Sequence, residues 1–274
     1  MRIATWNVNS IRSRIDRVAA WLERTDVDVL AIQETKARAD QFPLERFEAL
    51  GYEVAHHGLS QWNGVAVVSR VGLEDVQVGF DGMPGWGEPV APEARAISAL
   101  CDSVRVWSLY VPNGRSLDDP HLAYKLGWLE ALAAAGRGWL ADDPGAQIAL
   151  LGDWNIAPTD ADVWSVPYYE DKTHTSPGER AAFQGVVDAG FSDVVRPHTS
   201  EPGTFTYWDY TQLRFQKRQG MRIDFALCSP ALADRVVGAA IDREERKGKG
   251  ASDHAPVVFQ VADAEPVGTT GSEA

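Results

Sequence analysis

The sequence is short of several residues that would otherwise define its class. Only two cysteines occur in 274 residues, Cys101 and Cys228, far apart and each inside an apolar stretch. Two such thiols form no disulfide framework, and no cysteine–histidine cluster accompanies them to hold structural zinc. They read as buried free thiols in a reducing compartment. No run approaches the ~20 apolar residues that a membrane helix needs. The chain enters a strand-like segment at once, Arg2 to Val8, with no apolar signal core before it. The expectation is a cytoplasmic protein with no membrane partner. Positive charge is scarce too, 26 Lys and Arg against 39 Asp and Glu, a formal net charge of −13. Phosphate-rich partners favour basic surfaces, so this balance weighs against nucleic acid. It does not exclude it, because local patches depart from the mean and a metal site that gathers carboxylates also lowers the total.

Apolar residues are plentiful at 45%, enough for the core of one large domain or two small ones. Short Val- and Ile-rich runs recur at Ile3–Val8, Val27–Gln33, Val65–Ser69, Ala96–Leu100, Val104–Val111, Ile148–Leu151, Ile223–Leu227, Val236–Ile241 and Pro256–Val261. Their lengths and flanking turn residues predict strands. Ile11, Ile15, Val18 and Leu22 form one helical stripe, Asp119-Pro120 opens a second helix reaching about Leu140, and a third is expected from about Gly178 to Ala189. Leu100 and Val104 are separated only by Cys101-Asp102-Ser103, which implies hairpins within mixed sheets. The expected class is α/β, two mixed sheets packed face to face with helices outside. The Gly- and Pro-rich segment from Gly79 to Pro92 is expected to be a loop with Trp86 at a surface or interface. Residues 1–261 are expected to form a single catalytic domain, and 262–274, small, acidic and aperiodic, a disordered tail.

Candidate chemistry gathers where these strands end. Leu150-Leu151-Gly152-Asp153-Trp154-Asn155 runs from a strand into an acid and an amide two positions apart. In an extended chain, positions i and i+2 project to one side. A carboxylate there can orient water or bind metal, and an amide can donate to a phosphoryl oxygen. Ile32-Gln33-Glu34-Thr35-Lys36 brings a second strand to a carboxylate, the ligand type that hard divalent cations prefer. Asp253-His254 precedes the last strand and offers a metal ligand beside a group that handles protons. Asp224 enters a strand in Arg222-Ile223-Asp224-Phe225, and an acid buried there needs a partner, for which His254 is the obvious candidate. Tyr110 and Asn113, in Tyr110-Val111-Pro112-Asn113, can reach a phosphate. Each of these, taken singly, also reads as an ordinary cap, turn or structural ion pair. Their shared place at strand ends, where open sheets put active sites, favours chemistry. Trp6-Asn7 and Trp154-Asn155 echo one another at two such ends.

The blocks Thr5-Trp6-Asn7-Val8-Asn9, Gln33-Glu34-Thr35-Lys36, Gly152-Asp153-Trp154-Asn155-Ile156-Ala157-Pro158-Thr159-Asp160, Arg222-Ile223-Asp224 and Ser252-Asp253-His254-Ala255-Pro256 stand in order along almost the whole chain. This set resembles the exonuclease III/AP endonuclease branch of the endonuclease–exonuclease–phosphatase superfamily. The resemblance implies a four-layer, DNase I-like α/β sandwich and a Mg²⁺- or Mn²⁺-dependent hydrolase of DNA phosphodiesters. It implies metal binding by Glu34, assisted by Asp253, with Asn7, Asp153 and Asn155 around the metal and the scissile phosphate. Asp153 then orients or deprotonates the attacking water, His254 backed by Asp224 contacts the phosphate, and Tyr110 lies near it. Asp153 and His254 both remain open as general base.

A substrate surface has its own signal. Phe205, Tyr207, Trp208 and Tyr210 precede a segment from Gln212 to Arg222 that carries Arg214, Lys217, Arg218 and Arg222 and no acid. Interleaved aromatic and basic residues suit a surface that tracks a nucleic-acid backbone. By resemblance, Tyr207 falls where tryptophan or phenylalanine lines the pocket for a base-less sugar, with Met221 beside the neighbouring pocket position. The expected partner is double-stranded DNA with abasic sites or blocked 3′ ends, met by a monomer that incises at abasic sites, degrades from 3′ ends and removes 3′ blocking groups. The rival readings are a same-fold phosphoesterase for lipid or inositol phosphates and a non-catalytic DNA-binding relative.

Overall fold

The computed structural model describes residues 1–263. The tail expected from residue 262 therefore lies, beyond its first two residues, outside the described residues. The strands are β1 (Arg2–Asn7), β2 (Val29–Gln33), β3 (Glu53–His57), β4 (Val65–Ser69), β5 (Glu74–Val78), β6 (Ala96–Cys101), β7 (Val104–Tyr110), β8 (Ile148–Asp153), β9 (Ser192–Asp193), β10 (Asp224–Cys228), β11 (Val236–Ile241) and β12 (Val257–Val261). They form two six-stranded mixed sheets, in the orders β11-β12-β1-β2-β4-β3 and β5-β6-β7-β8-β10-β9. The helices that matter for packing are α1 (Ile11–Thr25), α2 (Leu44–Glu48), α3 (Pro120–Asp142), α4 (Val166–Tyr169) and α5 (Pro177–Asp188). No helix among the described residues is long and apolar enough to cross a membrane.

Period-2 alternation sorts the side chains into layers. Ile3, Val29, Ala31, Val65 and Val67 of one sheet meet Ile97, Val104, Val106, Ala149, Leu151, Ala226 and Cys228 of the other in the inter-sheet core. The opposite faces are apolar as well. Ala4, Trp6, Leu30, Ile32, Ala66 and Val68 pack under α1 and α2, against Val18, Trp21, Leu22 and Phe47. Trp107, Leu109, Leu150, Phe225 and Leu227 pack under α3 and α5, against Trp128, Leu129, Leu132, Phe183 and Val186. The result is helix–sheet–sheet–helix, four layers, as the sequence predicts. Both cysteines are buried and free.

Three strands escaped the sequence reading. The edge strands β3 and β5 interleave polar with apolar residues, and β5 is exposed along its whole length, so no apolar run marks them. β9 has only two residues. The 79–92 segment is a loop closed by a Trp86–Ala91 bridge. Trp86 stacks on Tyr124, with ring centroids 5.1 Å apart, and packs against the α3 side of the core while remaining partly exposed.

Candidate active site

The inward series of each central strand ends in a polar residue. Ile3 and Thr5 lead to Asn7, Val29 and Ala31 to Gln33, Val106 and Ser108 to Tyr110, and Ala149 and Leu151 to Asp153. Asp224 begins the inward series of β10 opposite Asp153, its Cα partner in the antiparallel pair, while Tyr110 is the partner of Asp153 on the parallel side. The site is thus the open end of the inter-sheet core, where two sheets supply facing walls.

Asn7 holds those walls together. Its amide nitrogen donates to Glu34 Oε1 at 2.8 Å and to Asp153 Oδ2 at 2.9 Å. His254 Nδ1 lies 2.9 Å from Asp224 Oδ2, and its Nε2 lies 3.7 Å from Asp153 Oδ2. Asp153 Oδ1 accepts the Asn155 backbone N–H at 2.9 Å. The Asn155 side chain donates to the Val111 carbonyl and accepts from Asn113, both at 3.0 Å. Asp253 accepts from Asn9 at 3.0 Å and stands beside the tighter group of Glu34, Asp153 and His254, whose ligand atoms lie within 4.8 Å of one another. Backbone strain marks the same place: Glu34 and Asn155 have φ of 53° and 51°, in the left-handed region that non-glycine residues seldom occupy. Glycine is required at Gly152, where a Cβ would stand 1.8 Å from the Leu109 carbonyl oxygen.

Charge follows from burial and proximity. Burial raises the pKa of Asp153, the neighbouring Asp224 and Glu34 carboxylates raise it further, and His254 opposes them without prevailing. Burial disfavours a charged His254, but the Asp224 and Asp153 carboxylates outweigh it and hold the imidazole protonated well above its usual range. Burial likewise acts to raise Glu34, yet the Lys36 ammonium, 2.7 Å from Oε2, and the Asn7 amide keep it below the usual carboxylate range. Tyr110 stays a neutral hydroxyl, because burial and then the Glu34 and Asp153 charges push its pKa far up. Four acids, Glu34, Asp153, Asp224 and Asp253, converge on two cations, Lys36 and His254. That surplus of hard oxygen donors fits a hard divalent cation.

The aromatic and basic block is divided by the fold. Tyr207 is half-buried with its ring 4.9 Å from the His254 ring, and it pairs with Met221 and His254 through isolated bridges. Lys217 and Arg218 are exposed. Arg214 lies against Trp164 and Tyr168 in the wall of a cleft of about 340 Å³ that also includes Tyr207, Met221, His174 and Lys172. Trp208 and Arg222, expected at the DNA surface, turn inward instead. Trp208 is 1% exposed among Phe205 and Phe215. Arg222 is buried between Asp162 and Asp193, at 2.6 and 2.5 Å. Its charge is matched by two carboxylates and it is almost wholly buried, which takes it off the surface that phosphate would meet.

Sequence reasoning passed over Asn9, Lys36, His174, Lys125 and Glu179. Lys36 reaches Glu34 and, at 2.6 Å, the Asn9 carbonyl oxygen of the side chain. His174 Nε2 lies 3.2 Å from Asn155 Oδ1. Asn9 and Lys36 sit inside quoted blocks and were legible. His174 lies in a loop with no pattern, and only the folded chain brings it to Asn155.

Residues 4–254 match the model of the Endonuclease/Exonuclease/phosphatase family. The chain is 30% identical to exodeoxyribonuclease III of Haemophilus influenzae, across 94% of this chain and 98% of that one. It superposes on the 3′-5′ exonuclease of Neisseria meningitidis with a TM-score of 0.89 at 37% identity, covering 96% of this chain and 100% of that one. The same Neisseria protein, described as a 3′ phosphatase bound to a product DNA hairpin, gives a TM-score of 0.89 at 37% identity over 95% of this chain and 99% of that one. An AP endonuclease from Archaeoglobus fulgidus follows at 0.88 and 35%, covering 95% of this chain and 99% of that one.

Proposed function

Because the chain belongs to the endonuclease/exonuclease/phosphatase family, in its exonuclease III/AP endonuclease branch, we propose that it is a metal-dependent DNA-repair nuclease that hydrolyses phosphodiesters at 3′ ends and abasic sites. The observation that carries this is the single amide of Asn7 bridging Glu34 and Asp153 across the two sheets, opposite the His254–Asp224 pair. Likeness to a 3′-5′ exonuclease, a 3′ phosphatase with product DNA and an AP endonuclease supports the three activities. Phosphoesterases for lipid or inositol phosphates are disfavoured by the same likenesses.

Glu34 with Asp253, Asn7, Asp153 and Asn155 are the residues to hold Mg²⁺ or Mn²⁺, which when bound supplies Lewis-acid stabilisation of charge on the phosphoryl oxygens. His254, protonated and aimed by Asp224, donates to a phosphoryl oxygen and offsets the charge that develops there. Asp153, with its raised pKa and its orientation fixed by Asn7 and the Asn155 N–H, takes the proton of the attacking water. A His254 already protonated has no lone pair for that task, which supports Asp153 as the base. Tyr110 and the Asn155 amide donate to the phosphate. Tyr207 and the neighbouring cleft take the sugar 3′ to the cut, and Arg214, Lys217, Arg218 and Asn113 follow the backbone of double-stranded DNA. The protein acts as a monomer.

The test is an end-labelled duplex carrying an abasic site or a 3′ phosphate, incubated with Mg²⁺ or Mn²⁺ and then with EDTA. Wild type is expected to cut only with metal. Asp153→Asn and Glu34→Ala are each expected to lose about 100- to 1,000-fold in rate, the typical cost of one preorganised charge-handling group. Cleavage that survives EDTA, or that tolerates both substitutions, rejects the mechanism, and hydrolysis of phosphoinositides without cutting of DNA selects the rival phosphoesterase.

A further inference from the structure

Behind the site lies a charged pair that none of the steps above uses. Lys125 of α3 and Glu179 in the first turn of α5 form an ion pair whose two side chains are both 0% exposed. A pair so fully removed from water is a poor stabiliser, since desolvation of two ions offsets their attraction, and apolar residues of similar volume often serve as well or better. Its partners suggest a different use. The Lys125 ammonium donates to the backbone carbonyl of Asn155 at 2.6 Å. Glu179 is itself pinned, because its Oε2 accepts from Ser176 Oγ at 2.7 Å and from Ser176 N at 3.2 Å in the capping box of α5.

Asn155 needs such an anchor. Its φ of 51° turns the peptide into the left-handed region, a conformation that persists only when surrounding contacts over-determine it. The same residue orients its neighbours. Its N–H holds Asp153 Oδ1 at 2.9 Å, and its side chain spans from the Val111 carbonyl to Asn113. A relaxed Asn155 peptide would release the Asp153 carboxylate and the amide together.

Resting on the nuclease reading, we propose that Lys125 and Glu179 are positioning residues: they clamp the Asn155 carbonyl, and through it hold Asp153 and the Asn155 amide in reacting geometry. The test is Lys125→Met/Glu179→Met, which removes both charges, leaves neither unpaired and roughly keeps the volume. With Mg²⁺ and the duplex substrate, kcat is expected to fall at least ~10-fold, while KM stays within about 2-fold. Added to Asn155→Ala, the pair of substitutions is expected to cost less than it does in wild type, because the part of the loss that runs through the Asn155 amide is already gone while the part that runs through Asp153 remains. Lys125→Gln/Glu179→Gln covers the case of a Met pair that does not fold. It keeps polar groups in the slot without the ion pair and is expected to lower kcat by several-fold. Unchanged kcat in the folded variant, or a loss that multiplies with that of Asn155→Ala, overturns the proposal. The side-chain amide NMR signals of Asn155 in metal-free protein read the clamp without turnover. They are expected to shift or broaden in the folded variant, and unchanged signals overturn the clamp even if wild type proves unable to cut DNA, a result that would reject the nuclease reading alone.

Discussion

Single residues show how burial sets protonation away from the reacting centre. His56 on β3 lies against Phe42, with ring centroids 4.3 Å apart, and its Nε2 meets Thr35 Oγ1 at 2.9 Å. Burial, reinforced by His57, pulls its pKa down from 6.5 to about 4. The folded state therefore keeps His56 neutral while an unfolded chain protonates it from pH 6.5 downward. Its contribution is full above pH 6.5 and is lost progressively as pH falls towards 4. Denaturant titrations across that window are expected to show a loss of up to about 2 kcal/mol that His56→Gln removes, after allowance for partial exposure. An unchanged slope in the variant would contradict this. The candidate site was legible residue by residue wherever a short block carried its own chemistry, as in Gly152-Asp153-Trp154-Asn155 or Asp253-His254. Arg222 misled, because a cation in a basic segment looks like a phosphate contact. Its two carboxylate partners, Asp162 and Asp193, lie 60 and 29 residues away in sequence.

Among the elements, the central strands were legible because they are buried on both faces and read as unbroken apolar runs. Edge strands β3 and β5 were not, since an edge facing water needs no apolar pattern and gains from polar side chains that discourage pairing with other chains. Strand β8 is the element on which site and fold meet. Gly152 lets the β8 backbone approach β7 so closely that a methyl group would stand 1.8 Å from the Leu109 carbonyl oxygen. Gly152→Ala is expected to destabilise the protein by about 3 kcal/mol, the upper range for overpacking, and to lower the nuclease rate through the displaced Asp153. Thermal unfolding followed by circular dichroism, alongside the cleavage assay, checks both. A variant as stable and as active as wild type would show that β7 and β8 can separate freely.

At the scale of the molecule, a net charge of −13 must coexist with a DNA substrate. On the proposed reading, attraction comes from a few exposed cations, such as Lys217 and Arg218, and not from the overall field. Binding to duplex DNA is expected to be strongly weakened by salt, and Arg218→Ala or Lys217→Ala should each reduce the slope of log K against log salt by about 1. Slopes that match wild type would remove these residues from the DNA surface. Net charge alone pointed away from this substrate, because composition reports a sum while recognition depends on position. The Asn7 bridge has a consequence at the same scale. Its two acids belong to opposite sheets, so the inter-sheet packing acts as a caliper whose jaws are Glu34 and Asp153. Repacking Ala31 or Leu151 in the inter-sheet core would alter the gap between the jaws, so that the core's side-chain volumes set the spacing of the two carboxylates.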